Sequence, residues 1–552
     1  MALVACGGGD DTDDAGAEND PGTEAGVATT EPSDEGEPTR GGDISVGLIA
    51  ESTSLRPGTG TFNLNIGYAI MDPLMVQTAE RTVEPYLAES LVPNEDLTEY
   101  TLTLREGVTF HDGTPLDAEA IKSNFDTYLK ASTSTLQGAL RYVTSFDVTG
   151  ELTGVYKLSQ SSAAFPDVLV TPAGMPFSPT AAEAKGDAYI DSPVGTGPFT
   201  FVSWTKDNNL VVERNEDYWQ EGLPYLDRIT FRPLTDEESR YSSLVAGDLD
   251  AIASQREHIV ARALADEEQD ILKTSVFVGN SAGGSVINTL VPPVDDPRVR
   301  RGLAHAINQD DVITVMSGTG ITPPMTQFFG AESPYYSEAV AAAWPAYDTE
   351  AARASLQEYI DDPSRSDGKA PGSPVSIEYQ CGVDPAQRER SQVYQAMWSD
   401  VGVDVTLSTI EVTQYITDVI GTADTDPPFA GEYMINCWTF GSEADPFTTF
   451  DNTFGPVPTQ ANNTSNYTSA TLDEQIQILG SSDDIEVRKA AVEAIGMELA
   501  EQVPNVFAGS SVFMIATNPS LNNVNGWTLP DGTPGSGQTA MVTHWSQVWQ
   551  SE

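Results

Sequence analysis

Apolar and polar positions alternate where the folded part of the chain begins. In Gly41–Ala50, GGDISVGLIA, the residues Ile44, Val46 and Leu48 recur at every second position. That is the period of a strand whose side chains point to opposite faces. The same period runs through Tyr100–Phe110, YTLTLREGVTF, and predicts a strand or strand pair broken by the turn His111–Pro115. The period then lengthens. In Leu116–Lys130, LDAEAIKSNFDTYLK, the residues Ala120, Ile121, Phe125 and Leu129 share one helical face, and Asp117 suits the N-cap. DDPRVRRGLAHAIN predicts a second helix, with Asp296 as N-cap, Pro297 in the first helical position and Val299, Leu303, Ala306 and Ile307 as its stripe. Farther on, strand and helix patterns take turns. VSIEYQC (Val375–Cys381) reads as a strand, AQRERSQVYQAMWSDVG as a helix ended by Gly402, VDVTLSTI as a strand and EYMINCWTF (Glu432–Phe440) as a third. This alternation predicts an α/β lobe with a largely parallel sheet. The last long helix, Asp483 to Gln502, stops before Pro504.

Length and charge narrow the picture. At 552 residues the chain is expected to form two or three lobes. The 46 Gly and 36 Pro predict short, interrupted elements. Against 82 Asp and Glu stand 27 Lys and Arg, a net charge of −55. Nucleic acid is excluded as a partner, because phosphate binding needs clustered cations. So acidic a surface keeps a body soluble and monomeric, and it also suits high salt; the sequence leaves both open. From Asp10 to Thr39 the chain is Asp, Glu, Gly, Thr, Ala and Pro with almost no large apolar residue, the composition of a disordered tether.

Catalytic and metal chemistry find little support. The four histidines include no HExxH and no paired Cys/His spacing, so His111 in FHDGTP is expected to serve a turn. GTGPF (Gly195–Phe199) lacks the lysine and hydroxyl of a phosphate loop and is expected to be a tight turn. No ordered Ser/His/Asp set is apparent, so the sequence gives no sign of nucleophilic catalysis. Acid pairs such as Asp295–Asp296 and Asp483–Asp484 suit helix starts. No catalytic residue, metal ligand or cofactor is therefore assigned, and the chain is not expected to be an enzyme.

Several stretches are similar, in order, to the family 5 extracytoplasmic solute-binding proteins, the oligopeptide, dipeptide and nickel-type receptors of ABC importers. They are YTLTLREGVTFHDGTPLDAEAIKSNF (Tyr100–Phe125), SPVGTGPF (Ser192–Phe199), VVERNEDYWQEGLPYLDRITFR (Val211–Arg232), LVAGDLDAI (Leu244–Ile252), NTLVPPVDDPRVRRGLAHAI (Asn288–Ile307), YDTEAARASL and YTSATLDEQI. The resemblance runs from about residue 41 to the C-terminus. It implies a two-lobed, periplasmic-binding-protein-like α/β fold of type II with a hinge. Lobe I would take residues 41–284 and 505–552, enlarged by an inserted subdomain at about 71–191, and lobe II residues 285–504. A solute would bind between the lobes and be enclosed when the hinge closes. The implied role is to deliver that solute, most readily a peptide, to an ABC permease and its ATPase subunits. The alternatives are a sugar, an opine or a metal chelate, a receptor that signals instead, or an extracytoplasmic hydrolase.

Within that frame Trp438, at the end of a predicted strand, is the leading cleft residue, with core packing as its alternative. The loop Thr439–Phe447 follows it and brings Thr439, Phe440, Gly441, Ser442 and Glu443 to the carboxyl end of the strand, where ligands sit in α/β sheets. Glu51, Ser52 and Tyr68 join them from the first lobe. Peptide-binding members carry an aspartate four residues before the loop proline, where this chain has Ser442, with Glu443 beside it. Dipeptide-type members place an arginine at the position of Cys381; Arg388 and Arg390 lie nearby on the predicted helix. Both departures argue against a free dipeptide. Cys381 and Cys437 each end a predicted strand and are neighbours if those strands are adjacent; a disulfide and two buried thiols are the two outcomes. Leu3–Cys6, LVAC, resembles a bacterial lipobox. Cys6 would then be diacylated and hold the protein outside the cytoplasm on the cell membrane, in the periplasm or on the membrane's outer face. Residues 1–6 would be a signal-peptide remnant and 7–40 the tether, with a natural start about 15 or more residues upstream.

Overall fold

A computed structural model describes residues 36–551, apart from 131–135, 137, 318–320, 332, 384, 412–413, 415–417, 420–430, 432, 441–444, 456–462 and 537–541. One ten-stranded sheet runs through the molecule. Its strands are β1 (Asp43–Leu48), β2 (Phe199–Thr205), β3 (Asn209–Arg214), β4 (Arg228–Pro233), β5 (Ala251–Ser254), β6 (Lys273–Ile287), β7 (Ser376–Gly382), β8 (Asp404–Ile410), β9 (Ile435–Phe440) and β10 (Asn505–Thr517). In space the order is β8-β7-β9-β6-β10-β5-β1-β4-β3-β2.

The elements form largely where the periodicity puts them. β1 buries Ile44, Val46 and Leu48. The helix Ala118–Lys130 starts where the Asp117 carboxylate accepts the Ala120 N–H at 2.8 Å, and it buries Ala120, Ile121 and Phe125. The helix Pro297–His305 begins with the Arg298 N–H donating to Asp296; Ala306 and Ile307 lie past its last turn and are still buried. Ile485–Gln502 is capped by Asp484 and ends at Val503, which takes a left-handed conformation. The strand is Glu99–Leu104, which takes only the YTLTL of YTLTLREGVTF, because Gly107, at φ +80°, turns the chain. That strand belongs to a separate antiparallel sheet, Ala88–Pro93, Glu99–Leu104, Thr153–Leu158 and Val143–Val148 in spatial order. Phe125 of the helix packs edge-on against Tyr156 of this sheet.

The parallel sheet expected for the second lobe holds only in part. β7 is parallel to both β8 and β9, the product of the strand–helix–strand pattern. β6 runs antiparallel to β9 and to β10. These two long strands are not crossover products; they enter from the other half of the molecule.

Two large cores flank that strand pair. One gathers Val46, Phe199, Ile229, Phe231 and, from the returning C-terminal segment, Trp545 and Val548. The other gathers Val286, Leu303, Tyr379, Trp398, Ile435 and Leu499. β10 gives Val506, Phe507 and Ala508 to the second core, then Val512, Met514 and Ala516 to a small third core with Tyr241 and Ile259. Between them the β6–β10 register shifts twice, from Val278 to Ala282 and from Ala282 to Gly284. A ladder broken over a short stretch between two packed bodies is where bending is easiest.

GTGPF is a turn held by close packing. A Cβ on Gly195 or Gly197 would collide with the backbone of Ile70. The His111 N–H donates to the Gly195 carbonyl at 2.9 Å, and its Nε2 lies 3.0 Å from the Gly197 carbonyl. Burial pushes the His111 imidazole down to about 4, so it is neutral and joins the two turns.

Candidate functional site

The carboxyl ends of β1 and β5 open into a cavity of about 240 Å³, walled by Leu48, Phe62, Asn63, Asn65, Ile515 and Trp545 among others. Its polar wall groups are tied into the backbone. Asn63 caps the helix Leu64–Ile70 by accepting the Asn65 N–H, and the Asn65 side-chain Oδ1 accepts the Thr543 N–H at 3.1 Å.

The three first-lobe candidates fall in different surroundings. Glu51 follows the cavity strand β1, and its carboxylate accepts the Trp204 indole N–H at 2.7 Å and the Asp207 N–H at 3.2 Å. It thereby ties the segment after β1 to the β2–β3 hairpin. The Ser52 hydroxyl oxygen accepts the Asn63 N–H at 3.2 Å and holds the cavity rim from behind. Tyr68 lies inside the first core, 4% exposed, with its ring 4.2 Å from His544 and its hydroxyl donating to the Val170 carbonyl. Burial and the nearby Asp72 carboxylate push its phenol well up. The C-terminal segment that carries His544 closes over Tyr68, which local periodicity could not reveal.

On the other side of the strand pair, β9 lies between β7 and β6, and Trp438 sits opposite Gly284. The indole is half-buried against the second core. Thr439 and Phe440 pair with Gly283 and Ala282, so β9 runs up to the broken register of β6. Gly441, Ser442, Glu443 and Cys6 lie outside the described residues. The loop's next acid, Asp445, caps the helix Pro446–Phe454 and pairs with Arg488.

The structure brings Cys381 and Cys437 together. β7 and β9 are adjacent and parallel, with Gln380 opposite Asn436, and the two sulfurs form a disulfide across Cα atoms 5.1 Å apart. Behind it the Tyr379 hydroxyl lies 2.8 Å from the Ser285 hydroxyl.

Two further features stand out: Arg390, which the sequence placed on the helix near Cys381, and a contact that no local pattern reveals. Arg390 projects from the helix Pro385–Asp400 until its Nη1 is 3.8 Å from where a Gly283 Cβ would be. The second is a contact far from the hinge. Arg141 pairs with Asp451 and donates to the Asn452 side chain at 3.0 Å, while the Tyr142 hydroxyl donates to Asp451 at 2.8 Å. The Ala163 N–H donates to the Gly480 carbonyl at 2.8 Å beside it. These partners are about 310 positions apart, and no local pattern announces such a pair. Among the described residues no group of three or more His, Cys, Asp or Glu is placed to hold a metal ion, and no helix is long and apolar enough to cross a membrane.

Residues 82–460 match the family described as bacterial extracellular solute-binding proteins, family 5. A glutathione-binding protein, GsiB of Salmonella paratyphi A, is 29% identical over 331 residues, which are 57% of this chain and 61% of that protein. The matched stretch thus spans less than two thirds of that relative's length. Among solved structures, the oligopeptide-binding protein AppA of Bacillus subtilis in complex with a nonapeptide superposes with a TM-score of 0.73 at 19% identity, covering 94% of this chain and all of that one. NikA of Brucella suis in complex with Fe(III)-EDTA gives 0.76 at 22%, covering 92% of this chain and all of that one. At these identities the two structures speak for the two-lobed fold alone.

Proposed function

The chain belongs to the bacterial extracellular solute-binding proteins of family 5, and on that footing we propose that it is the substrate-binding component of an ABC importer. It captures a solute between two lobes, one containing β1 and β5 and the other β7–β9, and presents it to a membrane permease with its ATPase subunits. The observation that carries this reading is the β6–β10 pair, which links the two cores and breaks register between them, with the β1–β5 cavity on one side and Trp438 on the other. A solute touching both lobes stabilises the closed arrangement by its differential affinity for it, and closure is the signal the permease reads.

The preferred solute is a peptide. A non-peptide solute is the second reading, favoured because Cys381 is engaged in a disulfide and Asp445 in an ion pair, so neither offers a charge to a peptide terminus. Cys6 is the proposed lipid anchor and the acidic segment after it the tether. The protein acts as a monomer that leaves its solute chemically unchanged.

Native mass spectrometry of protein purified from its source tests the solute class. Bound peptides are expected, released intact; a bound sugar or metal chelate would sink the peptide reading, and a cleaved product the receptor reading. Palmitate labelling of a native-length chain tests the anchor: equal label in wild type and Cys6→Ala refutes it.

A further inference from the structure

We propose that Arg390 is the anion anchor of the solute site, so that the captured solute carries a carboxylate held by this guanidinium. This rests on the receptor role proposed above and specifies what that site takes.

The chain has about three acids for each base, and among the described residues most other enclosed guanidiniums are matched, while the half-buried Arg56 lies over the Phe177 ring. Arg240 pairs with Glu237 at 2.6 Å, Arg298 with Asp296 at 2.7 Å and Arg365 with Asp367 at 2.7 Å, while Arg488 pairs with Asp445. Arg300 donates to the carbonyls of Val294, Asp295 and Gln502. Arg390 differs. It is half-buried, its Nε is shielded from solvent without a hydrogen-bond partner, and among the described residues no carboxylate pairs with it. Leaving a partly desolvated guanidinium unmatched is costly, and in so acidic a protein a partner is easily supplied.

Its position points to the solute as that partner. Gly283 lies in the broken register of β6, opposite Thr439 of β9 and next to the Gly284–Trp438 pair. Two positions along the same face of β6, Ser285 meets the Tyr379 hydroxyl, at the edge of the stack of Tyr379, Tyr394 and Trp398. Arg390 therefore stands at the hinge-facing edge of the second core. Because Gly283 has no side chain, the strand leaves room beside Nη1. A carboxylate oxygen needs a nitrogen at roughly 2.7–2.9 Å, and the fork of an arginine takes both oxygens at once. A body of net charge −55 repels anions at long range, so a carboxylate is retained only through a specific cation at short range.

The test uses the full chain as wild type, Arg390→Gln and Arg390→Lys. Having no carboxylate partner to lose, both variants are expected to melt near wild type when empty. The probes are a tryptic casein digest, the same digest methyl-esterified, and a panel of non-peptide carboxylates including glucuronate and ferric EDTA, read by native mass spectrometry and thermal shift at fixed salt. Wild type is expected to take the acid digest at least about 10-fold more tightly than the ester. Arg390→Gln loses that preference and Arg390→Lys keeps part of it. Equal binding of acid and ester by wild type, or an undiminished preference in Arg390→Gln, overturns the anchor. If no peptide binds but a non-peptide carboxylate stabilises wild type more than Arg390→Gln, the anchor stands and the peptide reading falls. If no carboxylate of either class favours wild type over Arg390→Gln, the anchor is refuted.

Discussion

Asp72 sits just past the helix Leu64–Ile70, 3% exposed, with the Trp219 indole donating to its carboxylate at 2.7 Å and its own N–H donating to Thr196. Among the described residues no cation pairs with it. Burial pushes the carboxyl up to about 7, and hydrogen bonding to Trp219 and Tyr218 only partly offsets this. The folded protein thus holds a proton that the unfolded chain gives up near pH 4. The stabilisation from this group is complete below about pH 4 and is lost as pH rises, at up to about 1.4 kcal/mol per unit, until about pH 7. Three units correspond to about 4 kcal/mol at pH 8. Asp72→Asn removes the charge and keeps an oxygen for Trp219, but adds a buried N–H whose unmet hydrogen bond costs about 1 kcal/mol. The net expectation is a gain of about 3 kcal/mol at pH 8 and a small loss at pH 4. For a cooperative unit of about 300 residues that is about 5 °C in melting temperature at pH 8. Differential scanning calorimetry of wild type and variant from pH 4 to pH 8 measures it, and the difference cancels the titration of the other carboxylates. A variant that melts no higher than wild type at pH 8, or a gap that does not shrink towards pH 4, refutes the reasoning.

Protein unfolded without reductant should show no labelled thiol at Cys381 or Cys437; opening the bridge by replacing both with serine should cost about 2–4 kcal/mol, and two labelled thiols would exclude it. Gly197→Ala should destabilise by about 1–3 kcal/mol, read from the thermal midpoint, because the new methyl meets the Ile70 backbone; an unchanged midpoint would show that the turn yields. Asp451→Ala should leave Arg141 unmatched and weaken the contact across to the helix Pro446–Phe454. The measurable result is a larger radius of gyration by solution scattering and about 10-fold or weaker solute binding, whereas unchanged values would mean the contact does not hold the lobes.

What the sequence determined by itself was local. The two-residue period of Ile44–Leu48, the helical stripe of Ala120–Phe125 and the caps Asp117, Asp296 and Asp484 each depend on neighbours within a turn or two, and each appears where it was read. The ordered motifs from Tyr100 onward carried the family and its two-lobed fold, because they record interactions already selected as a set. Tertiary structure decided the rest. Both cysteines were visible at strand ends, but only the β7–β9 adjacency joins them. Tyr68 had the look of a cleft aromatic until the chain returned some 480 positions later to bury it against His544. Arg390 lay on a helix with other charges, and only the approach of that helix to Gly283 sets its guanidinium beside the hinge. The β6–β10 ladder pairs residues more than 200 positions apart. Such contacts arise from how whole elements pack, and each chain position carries too little information to specify a partner so remote.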